Sequence, residues 1–184
     1  MTPLTWIGIG VAAFIVLVLI FMYNGFIRLR NEVRNSSAQI DVQLKRRNDL
    51  IPNLIETVKG YAKHEKEVFE NVTKARAAML GANTMAEKGK ASNQLSETLK
   101  SIFAVAEAYP KLEANVNFKQ LQEELTGTED KIAYSRQYYN DRVTEFNTRL
   151  ESFPTNTVGH AFGFKAFESF EATAEEKKPV AVKF

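Results

Sequence analysis

The chain has 184 residues, of which 24 are Lys or Arg, 22 are Asp or Glu, two are His and none is Cys. A net charge of +2 is too balanced for a protein whose main task is nucleic-acid binding, because such proteins present a strongly basic face. The absence of cysteine excludes disulfides, thiol nucleophiles and thiolate metal sites, and His64 and His160 are too few for a His-rich metal or acid–base site.

The chain begins with an uncharged apolar segment, residues 4–23. Its about 20 residues, at about 1.5 Å each in a helix, match a hydrocarbon core about 30 Å thick. Trp6 and Tyr23 lie near its ends, where amphipathic rings suit the membrane–water interface. A cleaved signal peptide is the alternative, but no Lys or Arg precedes the run, the run is too long, and no small-residue cleavage site follows it. We therefore expect a retained transmembrane anchor over residues 1–27.

Basic residues lie on one side of this segment only. None precedes it, and the first ones after it are Arg28, Arg30, Arg34, Lys45, Arg46 and Arg47. By the positive-inside rule, the short N-terminus is outside and the rest of the chain is in the cytoplasm. Arg28, Arg30 and Arg34 are also candidates for contact with anionic lipid headgroups, at about 1 kcal/mol each. A role as topology determinants alone is the simpler interpretation, because both roles need the same charges.

A heptad pattern of apolar residues follows the anchor. Its positions are Val33, Ile40, Leu54, Tyr61, Val68 and Ala75, together with Leu44, Ile51, Val58, Val72 and Met79, and its exceptions are Ser37, Arg47 and Glu65. The pattern predicts one helix of about 47 residues with left-handed supercoiling, which can continue from the membrane span without a break. Because the apolar stripe keeps its register through Pro52, we expect a kink near residues 48–52 rather than two helices.

A second helix follows a predicted loop. Residues 81–84, Gly-Ala-Asn-Thr, combine a helix C-cap with N-capping side chains, so the first helix should end there and a loop should continue to about Gly89. Apolar residues at steps of four and three over residues 95–109 predict the second helix, which Pro110 ends or bends.

Two more helices complete the pattern. Residues 112–125 predict a third, shorter helix, and the Thr-Gly-Thr sequence that follows predicts a turn in which Thr128 is an N-cap. The stripe over residues 132–153 predicts a last long helix, in which Arg136 interrupts the apolar residues and Pro154 stops the helix.

None of these helices can bury its apolar face alone. The sequence therefore predicts an all-α fold, with an N-terminal transmembrane helix followed by an antiparallel long-helix (four-helix-type) bundle over residues 28–154.

Residues 155–184 form a tail that is rich in aromatic residues. Its phenylalanines are Phe162, Phe164, Phe167, Phe170 and Phe184. A fully disordered segment would rarely carry so many rings. Val180, Val182 and Phe184 alternate with other residues, which favours an extended segment. We favour packing of the tail on its own bundle over docking to a neighbouring subunit, another partner or the membrane surface.

No sequence motif indicates catalysis. The run from His64 to Glu67 begins like the zinc motif H-E-x-x-H, but Val68 stands in the place of the second His, so an exposed helix face is the better interpretation. The segment from Gly81 to Gly89 lacks the GK[ST] sequence of a phosphate-binding loop, and no segment resembles a nucleophile elbow. We therefore expect no catalytic residue, no cofactor and no metal.

Two clusters of polar residues are less easily dismissed. One is residues 107–110 (Glu-Ala-Tyr-Pro), and the other surrounds Arg47. The candidate interaction residues there are Arg46, Arg47, Asp49, Pro52 and Asn53, to which we add the tail phenylalanines. Charged neighbours on a helix usually form solvated pairs, and Arg47, which lies on the apolar stripe, can simply meet a carboxylate from another helix. The alternative is a polar contact between helices or subunits that fixes their register.

Several runs of residues form a combination that is more specific than any one of them. They include residues 39–47 (QIDVQLKRR), 49–54 (DLIPNL), 56–62 (ETVKGYA) and 121–125 (LQEEL), with Tyr109-Pro110, Phe146-Asn147 and Phe153-Pro154. This combination, over about residues 23–154, resembles the LemA family. The resemblance implies a bacterial source, an N-out anchor and an antiparallel bundle of long helices in the cytoplasm. It implies neither a reaction nor catalytic residues.

These observations predict a membrane-anchored, non-enzymatic scaffold of the LemA type. We expect it to self-associate as a homo-oligomer at the bacterial inner membrane, or to bind other membrane or envelope proteins, and not to bind nucleic acid. The alternative is a lipid- or membrane-organising protein that uses the juxtamembrane arginines and the aromatic tail. An enzyme or metal protein is the least favoured class, because the sequence lacks the ligand sets that such proteins need.

Overall fold

The computed structural model describes residues 3–170, and over those residues the chain forms six helices and no β-strand. The helices are α1 (Pro3–Lys59), α2 (Lys66–Gly81), α3 (Met85–Glu107), α4 (Pro110–Glu113), α5 (Val116–Glu151) and α6 (Thr155–Ala161). The prediction of an all-α fold is confirmed. Val180, Val182 and Phe184 of the predicted extended segment lie outside the described residues.

Helix α1 continues from the apolar segment into the heptads without interruption. Pro52 lies inside it, so the prediction of one helix rather than two is confirmed at this position. Residues 3–17 are all exposed, and burial begins at Phe26 and Leu29. The first turns of the helix therefore present apolar side chains that the chain itself does not cover.

The heptads do not form one helix as far as Met79, and this prediction was wrong. Helix α1 ends at Lys59, where the amides of Tyr61 and Ala62 donate to the Val58 carbonyl at 3.0 and 2.9 Å and turn the chain. Helix α2 then returns along α1, with the Lys59 ammonium 5.5 Å from the centre of the Phe69 ring. A reversed helix buries apolar residues at the same spacing as a continued one, so the pattern alone does not separate the two.

The connection between α2 and α3 is a capping box. The Thr84 hydroxyl accepts from the Glu87 amide at 3.2 Å, and the Glu87 carboxylate accepts from the amides of Thr84 and Asn83 at 3.0 and 2.9 Å. The predicted helix end at Gly81 is confirmed. The predicted loop as far as Gly89 was wrong, because these bonds satisfy the first amides of the helix and allow α3 to begin at Met85.

The predicted turn at residues 126–128 was also wrong, because α5 runs through it. Thr128 is buried inside the helix, and its hydroxyl donates to the Glu124 carbonyl at 2.7 Å rather than capping a new helix. Glycine inside a helix costs about 1 kcal/mol. Burial of Leu125 and Ile132 on either side of it stabilises the helix by about 1.5–3 kcal/mol each and outweighs that cost.

The described helices pack as two compact units, and these differ from the three predicted segments, whose boundaries stay a prediction. Of the described residues, unit 1 comprises residues 3–37 with residues 138–168, and unit 2 comprises residues 38–137 with residues 169 and 170. In unit 1, α1 and α5 are antiparallel, with Phe26 opposite Phe146 and Glu32 opposite Arg142.

Unit 2 is an up-and-down arrangement of four long helices, α1, α2, α3 and α5, with the four-residue α4 between α3 and α5. Helix α2 runs antiparallel to α1, with the Arg76 guanidinium donating to the Asn48 carbonyl at 3.1 Å. Helix α3 runs antiparallel to α5, with the Ser96 hydroxyl donating to the Glu129 carboxylate at 2.8 Å. The predicted antiparallel four-helix packing is therefore confirmed in this unit.

Candidate functional site: a buried arginine and the adjoining groove

Arg47 is the central residue of unit 2, and none of its side chain is exposed. Its guanidinium donates to Ser96 Oγ at 3.0 Å, to Ser92 Oγ at 2.8 Å and to the Ser92 carbonyl at 3.3 Å. It also forms an ion pair with the Glu129 carboxylate. Three helices thus meet at one cation, since Arg47 lies on α1, the serines on α3 and Glu129 on α5.

The surroundings of Arg47 explain how a cation is held on an apolar stripe. Burial lowers the pKa of the Arg47 guanidinium below its ordinary value, while the charge of Glu129 and its hydrogen bond raise it again. An arginine stays protonated through such changes, so Arg47 remains a cation in the core. Ser96 strengthens the pair, because it accepts from Arg47 and donates to Glu129 at the same time.

A groove of about 480 Å³ lies between α3 and α5 beside this pair. Apolar side chains of Leu99, Phe103 and Leu125 line part of it. The polar and charged residues that line it are Asn93, Ser96, Glu97, Lys100, Thr126, Glu129, Asp130 and Arg136. The groove therefore offers an apolar surface bordered by both signs of charge, with the outer side of the Arg47–Glu129 pair in its wall.

Arg136 interrupts the apolar stripe of α5, as its sequence position indicated, and it is mostly buried. Its guanidinium carbon lies 4.8 Å from the centre of the Phe170 ring, and one nitrogen lies 3.5 Å from the Asn93 amide oxygen. An arginine over an aromatic face is a favourable contact, worth about 2 kcal/mol when it is desolvated. The tail phenylalanine Phe170 thus packs over the guanidinium of Arg136.

These groups have the chemistry of recognition and register. The two Nη atoms of Arg47 donate to protein acceptors, and the described residues contain no group of three or more His, Asp or Glu side chains that could hold a metal ion. Directional bonds from one cation to two other helices define which turns of those helices face each other. The groove is the part of the site that a partner can reach.

The other predicted interaction residues near Arg47 do not join the network. Arg46 is half-exposed and lies 3.6 Å from the Glu124 carboxylate, and Asp49 is exposed and bonds Lys45 at 2.7 Å. Asn53 is exposed and Pro52 is half-buried. Their role in an interaction stays a prediction.

The tail phenylalanines divide into covered and exposed rings. Phe164 stacks 4.9 Å from Phe26, and Phe167 lies 4.9 Å from Phe146, both measured between ring centres. Phe170 is buried, whereas Phe162 is 60% exposed. The favoured packing of the tail on its own chain therefore holds for residues 164–170, and Phe184 lies outside the described residues.

The juxtamembrane arginines are also unequal. Arg28 and Arg34 are exposed, and Arg28 approaches Glu32 at 3.8 Å. Arg30 is half-buried, with its guanidinium carbon 5.6 Å from the centre of the Phe164 ring. Arg28 and Arg34 are thus available to headgroups, whereas Arg30 partly serves the aromatic cluster.

Sequence reasoning missed the residue that holds the tail. The Asn147 side chain donates to the Phe167 carbonyl at 2.9 Å and accepts from the Phe167 amide at 3.0 Å. This pair of bonds resembles the pairing of one residue with a neighbouring β-strand. Tyr139 adds a bond from its hydroxyl to the Glu168 carbonyl at 2.8 Å. The position of Asn147 directly after the apolar Phe146 could have indicated a buried polar contact. The sequence could not show its partner, because Phe167 is 20 residues away along the chain.

Comparison with known proteins assigns most of the chain to one family. The model of the LemA family matches residues 36–184, which is most of the chain. The chain belongs to the LemA family. The match covers Arg47, the groove and the described part of the tail, so these three features lie within the family region, whereas Arg28, Arg30 and Arg34 precede it.

Curated relatives cover most of the chain at low identity. The chain is 26% identical to Protein LemA of Metamycoplasma hominis, over 85% of this chain and 72% of the relative. It is 24% identical to Magnetosome protein MamQ 2 of Paramagnetospirillum magneticum, over 94% of this chain and 72% of the relative. It is 22% identical to Magnetosome protein MamQ of Magnetospirillum gryphiswaldense, over 88% of this chain and 69% of the relative. Because the alignment with MamQ 2 covers 94% of this chain, it includes part of the apolar stretch of α1.

Proposed function

We propose that this LemA-family chain is a membrane-anchored, non-enzymatic scaffold that self-associates at the bacterial inner membrane, with its N-terminus outside and its bundle in the cytoplasm. One observation carries the proposal. Helix α1 is long and apolar enough to cross a membrane, and no residue of its most apolar stretch is fully buried by the described part of the protein. The same helix then supplies Arg47 to unit 2, so anchor and interaction domain share one element.

The groove supports an interaction role. Its apolar surface and its mixed charges suit a polypeptide segment, which has apolar side chains and charges of both signs. A net charge of +2 leaves little repulsion between copies of the chain. A second copy is therefore our first choice of partner, and other membrane or envelope proteins are the next.

The mass of the full-length protein in mild detergent, measured by light scattering, tests self-association. We expect a defined multimer that Thr126→Arg converts to a monomer, because Thr126 is exposed in the groove and a long charged side chain would obstruct it. Thr144→Arg, at an exposed position of the same helix outside the groove, is the matched control and should leave the mass unchanged. A monomeric wild-type protein that recovers no partner after crosslinking would contradict the scaffold role.

A lipid-organising role is a second candidate, because Arg28, Arg34 and Phe162 remain exposed close to the anchor. Reconstitution into vesicles with a fluorescent anionic lipid tests it. The wild-type protein should concentrate this lipid around itself, and Arg28→Gln with Arg34→Gln should reduce the enrichment. Equal enrichment for both proteins would remove this candidate.

A further inference from the structure

Unit 1 carries apolar surface beyond the membrane helix itself. Phe153 is 86% exposed and Phe162 is 60% exposed. Phe153 was predicted to belong to the stripe of α5, but α5 ends at Glu151 and the ring lies outside the core. Beside it is a cleft of about 370 Å³, which Phe14, Leu19 and Met22 of α1 line together with Phe153, Pro154 and Val158.

The cleft exists because α6 is held against α1. Gly159 lies so close to its neighbours that an added Cβ would be 2.6 Å from a Leu150 methyl carbon and 3.1 Å from the Phe26 ring. The Phe162 ring lies 4.8 Å from that of Tyr23. Helix α6 therefore reaches the part of α1 that the apolar segment occupies.

The sequence of this region matches the environment of the apolar segment. Residues 152–164 contain no Asp, Glu, Lys or Arg, and Lys165 is the first charge after them. An uncharged run with exposed aromatic rings is typical of the membrane interface and unusual for a surface in water.

The backbone of the run is also compatible with low polarity. The Asn156 amide donates to the Ser152 carbonyl at 2.8 Å, and the Thr155 hydroxyl approaches the carbonyls of Arg149 and Ser152 at 2.6 and 2.8 Å. At the other end, the Phe162 amide donates to the Val158 carbonyl at 3.0 Å. A segment that satisfies its own polar groups in this way can enter a layer that offers few hydrogen bonds.

We propose that residues 152–164 enter the bilayer that α1 crosses, from its interfacial layer into the acyl-chain region, with phospholipid acyl chains occupying the cleft. The protein then touches the membrane twice, through α1 and through the turn that joins α5 to α6. The argument rests on the proposed membrane anchoring, because the cleft shares its lining with the membrane-spanning stretch of α1. It changes which rings touch lipid: Phe153 and Phe162 do, whereas Phe164, Phe167 and Phe170 are used inside the protein.

Tryptophan fluorescence of the full-length protein in phospholipid vesicles tests this contact. Trp6 is the only tryptophan of the chain, so the wild-type protein reports on the anchor alone. The double variant Trp6→Phe with Phe153→Trp reports on the proposed contact. Because the Phe153 ring is exposed, a larger ring at this position should not disturb folding. Tyr138→Trp in the same background is the control within unit 1. Tyr138 is 37% exposed and contacts Arg142, which pairs with Glu32 of α1. Glu32 lies about 13 Å along α1 from Tyr23, the end of the apolar segment, so position 138 should lie in water.

We expect phospholipids brominated on their acyl chains to quench Trp6 and the tryptophan at position 153, and acrylamide in the water to quench the tryptophan at position 138. The emission from position 153 should also be shifted to the blue of that from position 138. Quenching at position 153 like that at position 138, with Trp6 still quenched by lipid, would overturn the contact and leave the anchor intact. Failure of lipid to quench Trp6 would overturn the anchor and the contact together.

Discussion

Units 1 and 2 use the same two helices, α1 and α5, but stabilise them with different chemistry. In unit 2 the helices are joined by the Arg47–Glu129 pair, which two serines of α3 complete. In unit 1 they are joined by aromatic rings, with Phe146 in contact with Phe26 at 5.7 Å between ring centres. One pair of long helices can therefore have a fixed register in unit 2 and a packing in unit 1 that tolerates changes of side chain.

The physical reason lies in directionality. A guanidinium needs its acceptors in fixed directions, so a shift of α1 along α5 by one turn would leave the charge of Arg47 unpaired in the core. Aromatic rings have no such requirement, and they accept tilted, edge and stacked arrangements at similar energy. Unit 1 shows all three around Phe164 and Phe146. We therefore expect the two units to respond differently to substitution.

The largest effect is expected in the aromatic cluster. Phe146 is buried and its ring contacts those of Phe26, Phe164 and Phe167. Phe146→Ala should lower the free energy of unfolding by about 3–5 kcal/mol through lost burial and a cavity. Phe146→Leu should lose only about 1 kcal/mol, because most of the apolar volume remains. Thermal unfolding of the full-length protein in mild detergent, followed by circular dichroism, measures both, and equal losses would contradict tolerant packing in unit 1.

The next effect concerns the buried cation. Glu129→Ala removes the counter-charge of Arg47, which costs about 3–5 kcal/mol for a fully buried pair. Since the Glu129 carboxylate is partly exposed, we expect about 2–3 kcal/mol in the same unfolding experiment.

The double variant Arg47→Met with Glu129→Leu is the control for this effect. It removes both charges and should be within about 1 kcal/mol of the wild-type protein, because apolar residues can replace a buried pair. Its detergent mass should become less uniform if the pair sets the register of the helices. A double variant as unstable as Glu129→Ala would mean that the pair itself supplies the stability of unit 2.

A pair of glycine substitutions sharpens the comparison further. Gly159→Ala should destabilise unit 1 by about 1–3 kcal/mol, because the new methyl group meets Leu150 and Phe26. Gly127→Ala should stabilise α5 by about 0.5–1 kcal/mol, because no heavy atom lies within 4 Å of the added Cβ. Opposite signs in the unfolding temperature are expected. A gain at both positions would show that α6 has room to move away from α1.

The smallest effect lies in the capping box of unit 2 and depends on pH. Hydrogen bonds from the amides of Thr84 and Asn83 lower the pKa of the Glu87 carboxyl below its ordinary value. The stability that the ionised group contributes is therefore present above its unfolded pKa and is lost as the pH falls through the lower folded pKa. Glu87→Gln should melt earlier than the wild-type protein at about pH 7, and the difference should disappear as the pH falls through the folded pKa of Glu87. A difference that persists in acid would mean that Glu87 acts through packing rather than charge.

Much of the fold could be read from local signals. The uncharged run predicted the start of α1, Gly81 and Thr84 marked the connection between α2 and α3, and Pro110 marked the end of α3. The position of Arg47 on an apolar stripe pointed to a carboxylate from another helix, and Glu129 provides it. These signals were sufficient because they depend on hydrogen bonds and burial within one element or on the spacing of one stripe.

The sequence by itself therefore determined that the described residues are helical, where the long apolar stretch lies and which polar residue enters the core. Only the tertiary structure decided that the heptads reverse after Lys59, that α5 continues through Gly127, and that Asn147 holds the tail at Phe167. The physical reason is the same in each case. A helical stripe records that a face is buried but not what buries it, and the partner of each of these faces is supplied by a segment distant along the chain.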